Sequence, residues 1–361
     1  MPASPSPSLT IGDFARATGL SAKALRRYDE LGLLRPDRVD PYSGYRYYAE
    51  AQTERARLIA WLRRIGMPLA DVGRVCALHA EDPAGAARAI RAYWASVEAE
   101  TAARRGLAAS LVDHVKGTRT DMTAGTTYVL NATALLDRGL VRPEQQDAVH
   151  ASPRLLAVAD GYGPEGARAA RAAVAAVAAV PSAGSAPGRA GDALNALEDG
   201  VRAAGEAVAG LDGSGTTLTA ALLAGTRLVL AHVGDARAHL LRDGRLRRLT
   251  RDDTVVQALV DAGELEPAEA AERPDRAVLL KALDGGGAVP DPALSVHELR
   301  PADRILLCTD GLSALLPEGE LADVLSGAAT VAAAAEELLS RARAQGAPDN
   351  LALVTAEPLP A

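Results

Sequence analysis

Leu155-Leu156-Ala157-Val158-Ala159-Asp160-Gly161 carries an aspartate at the tip of a short apolar run. Such an uninterrupted run reads as a buried strand, and the Asp-Gly that ends it sets a carboxylate at the sheet edge. The pattern recurs along the chain. Leu230-Ala231-His232-Val233-Gly234-Asp235 and Leu306-Leu307-Cys308-Thr309-Asp310-Gly311 end apolar runs in the same way, and Asp349 precedes one in Asp349-Asn350-Leu351-Ala352-Leu353-Val354. Carboxylates converging from several strand ends form an all-oxygen pocket, which suits Mg²⁺ or Mn²⁺ rather than Zn²⁺. Metal-assisted chemistry is the expectation.

The remaining composition narrows the class. A chain of 361 residues has room for two or three domains. Hydrophobic residues at 48% and charged residues at 24% are those of a soluble globular protein. A net charge of −7 argues against nucleic-acid binding by the chain as a whole, although a local basic patch stays open. Cys76 and Cys308 are too few for a disulfide framework or a zinc site. With no signal peptide and no long apolar span, the expected location is cytoplasmic, without a membrane. The Ala-rich stretch from Ala167 to Val180 is interrupted by Arg168 and Arg171 and reads as a helix.

Composition shifts mark the organisation. Residues 1–8 read as a disordered tail, and Gly117 to Gly125 as a polar linker. Between them, Asp82 to Lys116 reads as one long helix, with Ile90, Tyr93 and Val97, then Leu107, Leu111 and Val115, at the spacing of a one-sided stripe. Beyond the linker, strand-like and helix-like runs alternate from about Thr126 to Glu357. Pro181 to Gly188 reads as a low-complexity surface loop, and Asp243-Gly244 between two short apolar-basic runs reads as a hairpin turn.

Near the N-terminus, Thr10 is a candidate N-cap, Thr18-Gly19-Leu20 a turn, and Ser21 the cap of a basic helix carrying Lys23, Arg26, Arg27 and Tyr28. Helix, Gly turn and basic helix spell helix-turn-helix. Tyr45-Arg46-Tyr47-Tyr48 then follows Gly44 as a wing that can meet phosphates. The stretches Ala24 to Leu34, Gly44 to Tyr48 and Leu62 to Leu69 together resemble the winged helix-turn-helix of MerR-type regulators over residues 9–78. The resemblance implies an all-α winged helix-turn-helix that binds promoter DNA. It further implies a dimerisation helix within residues 79–118, pairing two copies into a homodimer through 82–116. Lys23, Arg26, Arg27, Tyr28, Tyr45, Arg46 and Tyr47 are the expected DNA-binding residues.

The C-terminal motifs follow a fixed order. Arg142-Pro143-Glu144-Gln145-Gln146-Asp147 comes first, then Asp160-Gly161, Ser214-Gly215-Thr216-Thr217, Gly234-Asp235, Thr309-Asp310-Gly311 and Asp349-Asn350. In this order they resemble the metal-dependent type 2C (PPM) Ser/Thr protein phosphatases, over a domain spanning 124–358. Residues 249–283 are similar to the flap of the bacterial branch. The resemblance implies an α+β fold, a β-sandwich flanked by helices, with two Mn²⁺ or Mg²⁺ ions at one end. Asp160 would bridge the metals and the Gly161 carbonyl would hold one of them. Asp310 and Asp349 would hold the other, and Asp235 would serve a third, weaker metal, although it could instead bind backbone in a turn. Arg142 would grip the substrate phosphate, with Asp147 close to the metals.

Four places depart from the family pattern: Gln145-Gln146 where an acidic residue is usual, Tyr162, Gly163-Pro164-Glu165, and Arg273 in the flap. They leave the ligand set intact but bear on catalytic strength. Two readings follow: a regulator carrying an active phosphoprotein phosphatase, and a transcription factor whose phosphatase-like domain is a weak or inactive sensor of metal or of a phosphorylated partner. His232 and His239 read as sheet residues rather than ligands.

Overall fold

A computed structural model describes residues 8–115, 127–180, 190–262, 265, 269–270 and 273–361. The tail, linker and surface loop expected at 1–8, 117–125 and 181–188 lie outside the described residues, except Ser8, which opens a strand. The chain divides into two compact units, residues 1–99 with 259–272, and residues 100–258 with 273–361.

In the first unit, strand β1 (Ser8–Thr10) leads into helices α1 (Ile11–Thr18) and α2 (Ala22–Glu30). Thr10 and Ser21 cap these helices as expected, their side chains accepting from the Asp13 and Ala24 amides. Gly19 ends α1 in the left-handed conformation that a residue lacking Cβ adopts without strain. Strands β2 (Arg38–Val39) and β3 (Arg46–Ala49) pair as the hairpin expected to be the wing, followed by α3 (Gln52–Arg64), α4 (Leu69–Glu81) and the long α5 (Pro83–Val115), whose residues from 100 onward fall in the second unit. The core gathers Phe14, Leu25, Leu34, Ile59, Met67 and Val72, with Phe14 stacked on Tyr48 at 4.6 Å between ring centres.

An all-α description of this unit is corrected by the structure. β1, β3 and β2 pair as a three-stranded antiparallel sheet, because the segment before the first helix hydrogen-bonds to the inner wing strand. α5 covers the helix expected over 82–116; the side chains of Leu107, Leu111 and Val115 lie outside the described residues.

The second unit is a sandwich. Its strands are β4 (Tyr128–Asp137), β5 (Ala148–Ala151), β6 (Leu155–Ala159), β7 (Gly161–Tyr162), β8 (Gly215–Thr216), β9 (Leu218–Ala224), β10 (Arg227–Val233), β11 (Arg237–Arg242), β12 (Arg245–Arg248), β13 (Leu283–Asp284), β14 (Ala293–Glu298), β15 (Arg304–Cys308) and β16 (Leu351–Pro360). Helices α6 (Gly166–Ala178), α7 (Ala190–Val208), α8 (Val255–Ala262), α9 (Asp310–Ser313), α10 (Glu318–Gly327) and α11 (Val331–Ala344) lie between them in the chain.

Two five-stranded antiparallel sheets, in the orders β14-β10-β9-β6-β5 and β12-β11-β15-β16-β4, share an inner core of Leu156, Val158, Leu230, Leu240, Leu307 and Val354. The alternate residues of the first sheet, such as Ala157 and Ala231, pack under α6 and α7, and those of the second, such as Leu306 and Leu353, under α10 and α11. Covering both faces is why β6 reads as unbroken apolar sequence instead of alternating. Asp243 and Gly244 both take positive φ in the β11–β12 turn, as a two-residue hairpin of this kind requires.

Candidate metal centre

The strand registers bring the four aspartates to one end of the sandwich. Val158 pairs with Thr219 and Leu218 with Val233, so the ends of β6 and β10 adjoin. Arg237 pairs with Cys308 and Cys308 with Leu353, so the end of β15 meets the starts of β11 and β16. The turn Gly234-Asp235-Ala236 carries the chain from one sheet to the other at that same end. Asp160, Asp235, Asp310 and Asp349 then line one cleft of about 470 Å³ with Arg142, Gly161 and Asn350.

Local contacts explain the precision. The Asp160 amide donates to Thr217 Oγ1 at 3.0 Å, and the Asp160 carbonyl accepts from the Thr217 amide at 2.9 Å and from Thr216 Oγ1 at 3.0 Å. Gly161 cannot be replaced by a larger residue here. A Cβ built there would stand 2.2 Å from the Gly166 carbonyl oxygen and 2.5 Å from that of Gln146. The buried Asn350 donates to the carbonyls of Arg138 and Glu144, both at 2.9 Å, and accepts from the Gln146 amide at 2.8 Å, tying the loop after β4 to the start of β16. Gln146 in turn donates to the Gly163 carbonyl at 3.0 Å, so the neutral residue at this departure from the family pattern braces the Gly161–Gly163 turn.

The carboxyls are held at an electrostatic cost. Asp147 is only 4% exposed, accepts from Thr309 Oγ1 at 2.9 Å, and is pushed up to about 7 by burial and by the charges of Asp310 and Asp349. Burial and the neighbouring Asp310 and Asp252 push Asp235 up to about 8, against the pull of Arg237. Asp160 and Asp310 are raised by burial too, Asp160 also by Asp147 and Asp310, and Asp310 also by Asp349. Like charges sharing a desolvated cleft disfavour joint ionisation. Arg142, a little over half exposed, points one nitrogen at Asp349 Oδ2 at 2.7 Å.

Among the described residues no three carboxylate, imidazole or thiolate groups already stand at metal-holding spacing. The donor set nonetheless fits a hard divalent cation. It is all oxygen and anionic, and Mg²⁺-like ions keep several waters while taking only one or two carboxylates.

The comparisons with known proteins follow the same residues. The family model described as "Protein phosphatase 2C" matches residues 142–354. The chain belongs to the protein phosphatase 2C family. A second model, "MerR HTH family regulatory protein", matches residues 9–78. The Serine/threonine protein phosphatase PstP of Mycobacterium tuberculosis is 42% identical over 241 residues, covering 65% of this chain and 46% of that protein. The chain thus spans about half the length of that relative.

Among solved structures, the catalytic domain of PstP in complex with 2 manganese ions matches with a TM-score of 0.59 at 42% identity, covering 64% of this chain and all (100%) of that one. The MsPP phosphatase from Mycobacterium smegmatis in complex with cacodylate matches at 33% identity and TM-score 0.55, covering 63% of this chain and 98% of that one.

The DNA-binding candidates are disposed unequally. Lys23, Arg26 and Arg27 stand exposed on α2, and Tyr45 is exposed on the wing. Tyr28 differs from the three basic residues of α2 in exposure. It is 7% exposed and packed in the core, because it follows Leu25 by three residues on the apolar stripe of α2. Arg46 donates to Asp29 Oδ2 at 2.7 Å, and Tyr47 lies under the Arg38 guanidinium at 4.3 Å.

Sequence reasoning missed the supporting residues. Thr309, Thr217 and Asn350 sit in quoted motifs, yet their partners are far away in the chain. Asp252 was also missed; it pairs with Arg237 at 2.8 Å and with Arg248, beside the Gly234-Asp235 turn. The next residue, Asp253, holds that turn directly. Its amide donates to the Gly234 carbonyl at 2.7 Å, and its Oδ2 accepts from the Gly234 amide at 3.2 Å. Arg273, in the flap, pairs with Asp275 at 2.7 Å. No helix among the described residues is long and apolar enough to cross a membrane.

Proposed function

We propose that this chain is a DNA-binding regulator carrying a metal-dependent phosphatase that hydrolyses phosphoserine and phosphothreonine in proteins. The observation that carries the catalytic half is the convergence of Asp160, Asp235, Asp310 and Asp349 on one cleft that also contains Arg142. Asp160, the Gly161 carbonyl, Asp310 and Asp349 would hold two Mn²⁺ or Mg²⁺ ions, with Asp235 serving a third. Bound there, the ions supply Lewis acidity and an acidified water for attack on phosphorus.

The chain's own residues do the rest. Arg142 exchanges its contact with Asp349 for two substrate oxygens, since its guanidinium is exposed and its fork matches a phosphate edge. Thr309 holds the Asp147 carboxyl by one hydrogen bond, fixing the floor on which Asp160 and Asp310 stand. Asp253 braces the Gly234-Asp235 turn, and the flap residues Ala277 and Leu279 close one wall of the cleft.

For the N-terminal unit, exposed Lys23, Arg26 and Arg27 on a capped helix and Tyr45 on the wing support binding of promoter DNA by a homodimer joined through α5. Tyr28 anchors α2 in the core, and Arg46 acts by fixing Asp29 and the wing. Cytoplasmic location accords with both activities.

Hydrolysis of p-nitrophenyl phosphate with Mn²⁺ tests the catalytic half. Asp160→Ala is expected to abolish it; equal turnover by wild type and variant would contradict the metal-site assignment, and no turnover by the wild type would favour the sensor reading. Gel mobility shift with Arg26→Ala tests the other half, and undiminished binding would remove α2 from the interface.

A further inference from the structure

The opposite end of the sandwich carries an unexpected concentration of positive charge. Leu240 pairs with Arg247 and Arg242 with Arg245 across the β11–β12 hairpin. Leu240 faces the core between the two sheets. Because side chains alternate along a strand, Arg242, Arg245 and Arg247 lie on that same inner face. β12 is the edge of its sheet and β14 the edge of the facing sheet, so these arginines occupy the open corner between them.

Guanidiniums cannot close a sandwich corner as apolar side chains do. A cavity of about 500 Å³ remains, lined by Leu240, Arg242, Asp243, Arg245 and Arg247. That volume falls in the range of small-molecule sites.

The three guanidiniums share the corner with the carboxylates of Asp243 and Asp303. Arg242 makes two hydrogen bonds to the buried Asp303, at 2.8 and 2.6 Å. Arg247 is only partly exposed and has no hydrogen bond or ion pair among the described residues, and Arg245 likewise has none. Burial and the Arg242 charge hold Arg247 below its ordinary range against the pull of Asp303, and the same two arginines add to burial in lowering the nearby His297. A partly buried guanidinium with no hydrogen-bonded partner is costly, and an oxyanion held in its fork removes that cost.

We propose that this corner is a second oxyanion site, which takes inorganic phosphate against Arg245 and Arg247 with Arg242 fixed behind them. The site is separate from the aspartate cleft. Asp235 precedes β11 and Asp243 follows it, so the length of that strand, roughly 20 Å at about 3.3 Å per residue, lies between them. Binding at the corner rests on no part of the catalytic reading.

Equilibrium binding of radiolabelled inorganic phosphate to the full chain loaded with Mn²⁺ tests the proposal. The wild type is expected to bind phosphate at the cleft and at the corner. Arg245→Ala and Arg247→Ala should each weaken the corner site by about tenfold or more, while Arg142→Ala weakens only the cleft site. Arg245 is exposed, so its truncation leaves the fold intact and keeps the test valid should Arg247→Ala misfold. Phosphate binding unchanged in both corner variants, or abolished entirely by Arg142→Ala, overturns the proposal. Turnover of p-nitrophenyl phosphate is expected to be unchanged in both corner variants. A chain without turnover would fail the catalytic reading alone.

Discussion

In the N-terminal unit, Lys23, Arg26 and Arg27 lie in solvent and Arg46 lies against Asp29, so each charge is either hydrated or paired. At the aspartate end of the sandwich, Asp147, Asp160, Asp235 and Asp310 are desolvated and raise one another's proton affinity, with Arg142, Arg237 and Arg276 set against them. Solvated charge is cheap to hold and can be lent to a partner such as a phosphate backbone. Crowded, buried charge of one sign is expensive and persists where a counter-ion completes it. The contrast separates residues kept for an encounter from residues kept for a resident cation.

The contrast can be broken first at the cleft. Asp310→Asn keeps the shape of the side chain but removes a charge, and is expected to lower phosphatase turnover by about 10²–10³ with an unchanged circular dichroism spectrum. A smaller loss would make Asp310 a structural residue.

In the N-terminal unit, exposure should split two neighbours on α2. Tyr28→Ala is expected to destabilise that unit by about 3 kcal/mol in denaturant titration, because it empties a core position. Arg26→Ala should leave stability unchanged and cost about 1–3 kcal/mol of DNA affinity. A reversed pattern would contradict the buried and exposed assignments.

The sandwich should also show a pH dependence that comes from buried imidazole. His239 is fully buried with neither ring nitrogen hydrogen-bonded, among Arg237, Arg248 and Asp252, and with Glu318 at 4.0 Å. Burial and the two arginines bring its pKa down to about 3, and His297 is brought down to about 4. The unfolded chain takes up these protons first as pH falls below about 6.5, so stability is complete above that pH and declines towards pH 4. His239→Leu is expected to flatten the decline seen in urea titrations; an unaltered slope would place its origin elsewhere. The smallest effect belongs to Arg46→Ala. It removes a partly exposed ion pair and should cost roughly 0.2–1 kcal/mol of stability in the N-terminal unit.

The elements legible in the sequence were those set by short-range rules. Thr10 and Ser21 cap helices, Asp243-Gly244 turns a hairpin, and each apolar run ends at its aspartate, because capping, left-handed turns and burial act over a few residues. Partners set by tertiary packing were not legible. Thr309 meets Asp147 across 162 positions, and Arg46 meets Asp29 across 17. Tyr28 shares a basic helix with true surface residues, and only the core packed against α2 shows which way it faces. The β12 arginines likewise suggest an exposed strand, until pairing with Leu240 turns Arg247 inward.

The claim that the crowded carboxylates await a cation is tested most directly by calorimetric titration of Mn²⁺ into the full chain after chelation. Two tight binding events per chain, with a third and weaker one through Asp235, are expected in the wild type, and both tight events should be weakened in Asp160→Asn. Uptake identical in wild type and variant, or no uptake by either, would contradict it.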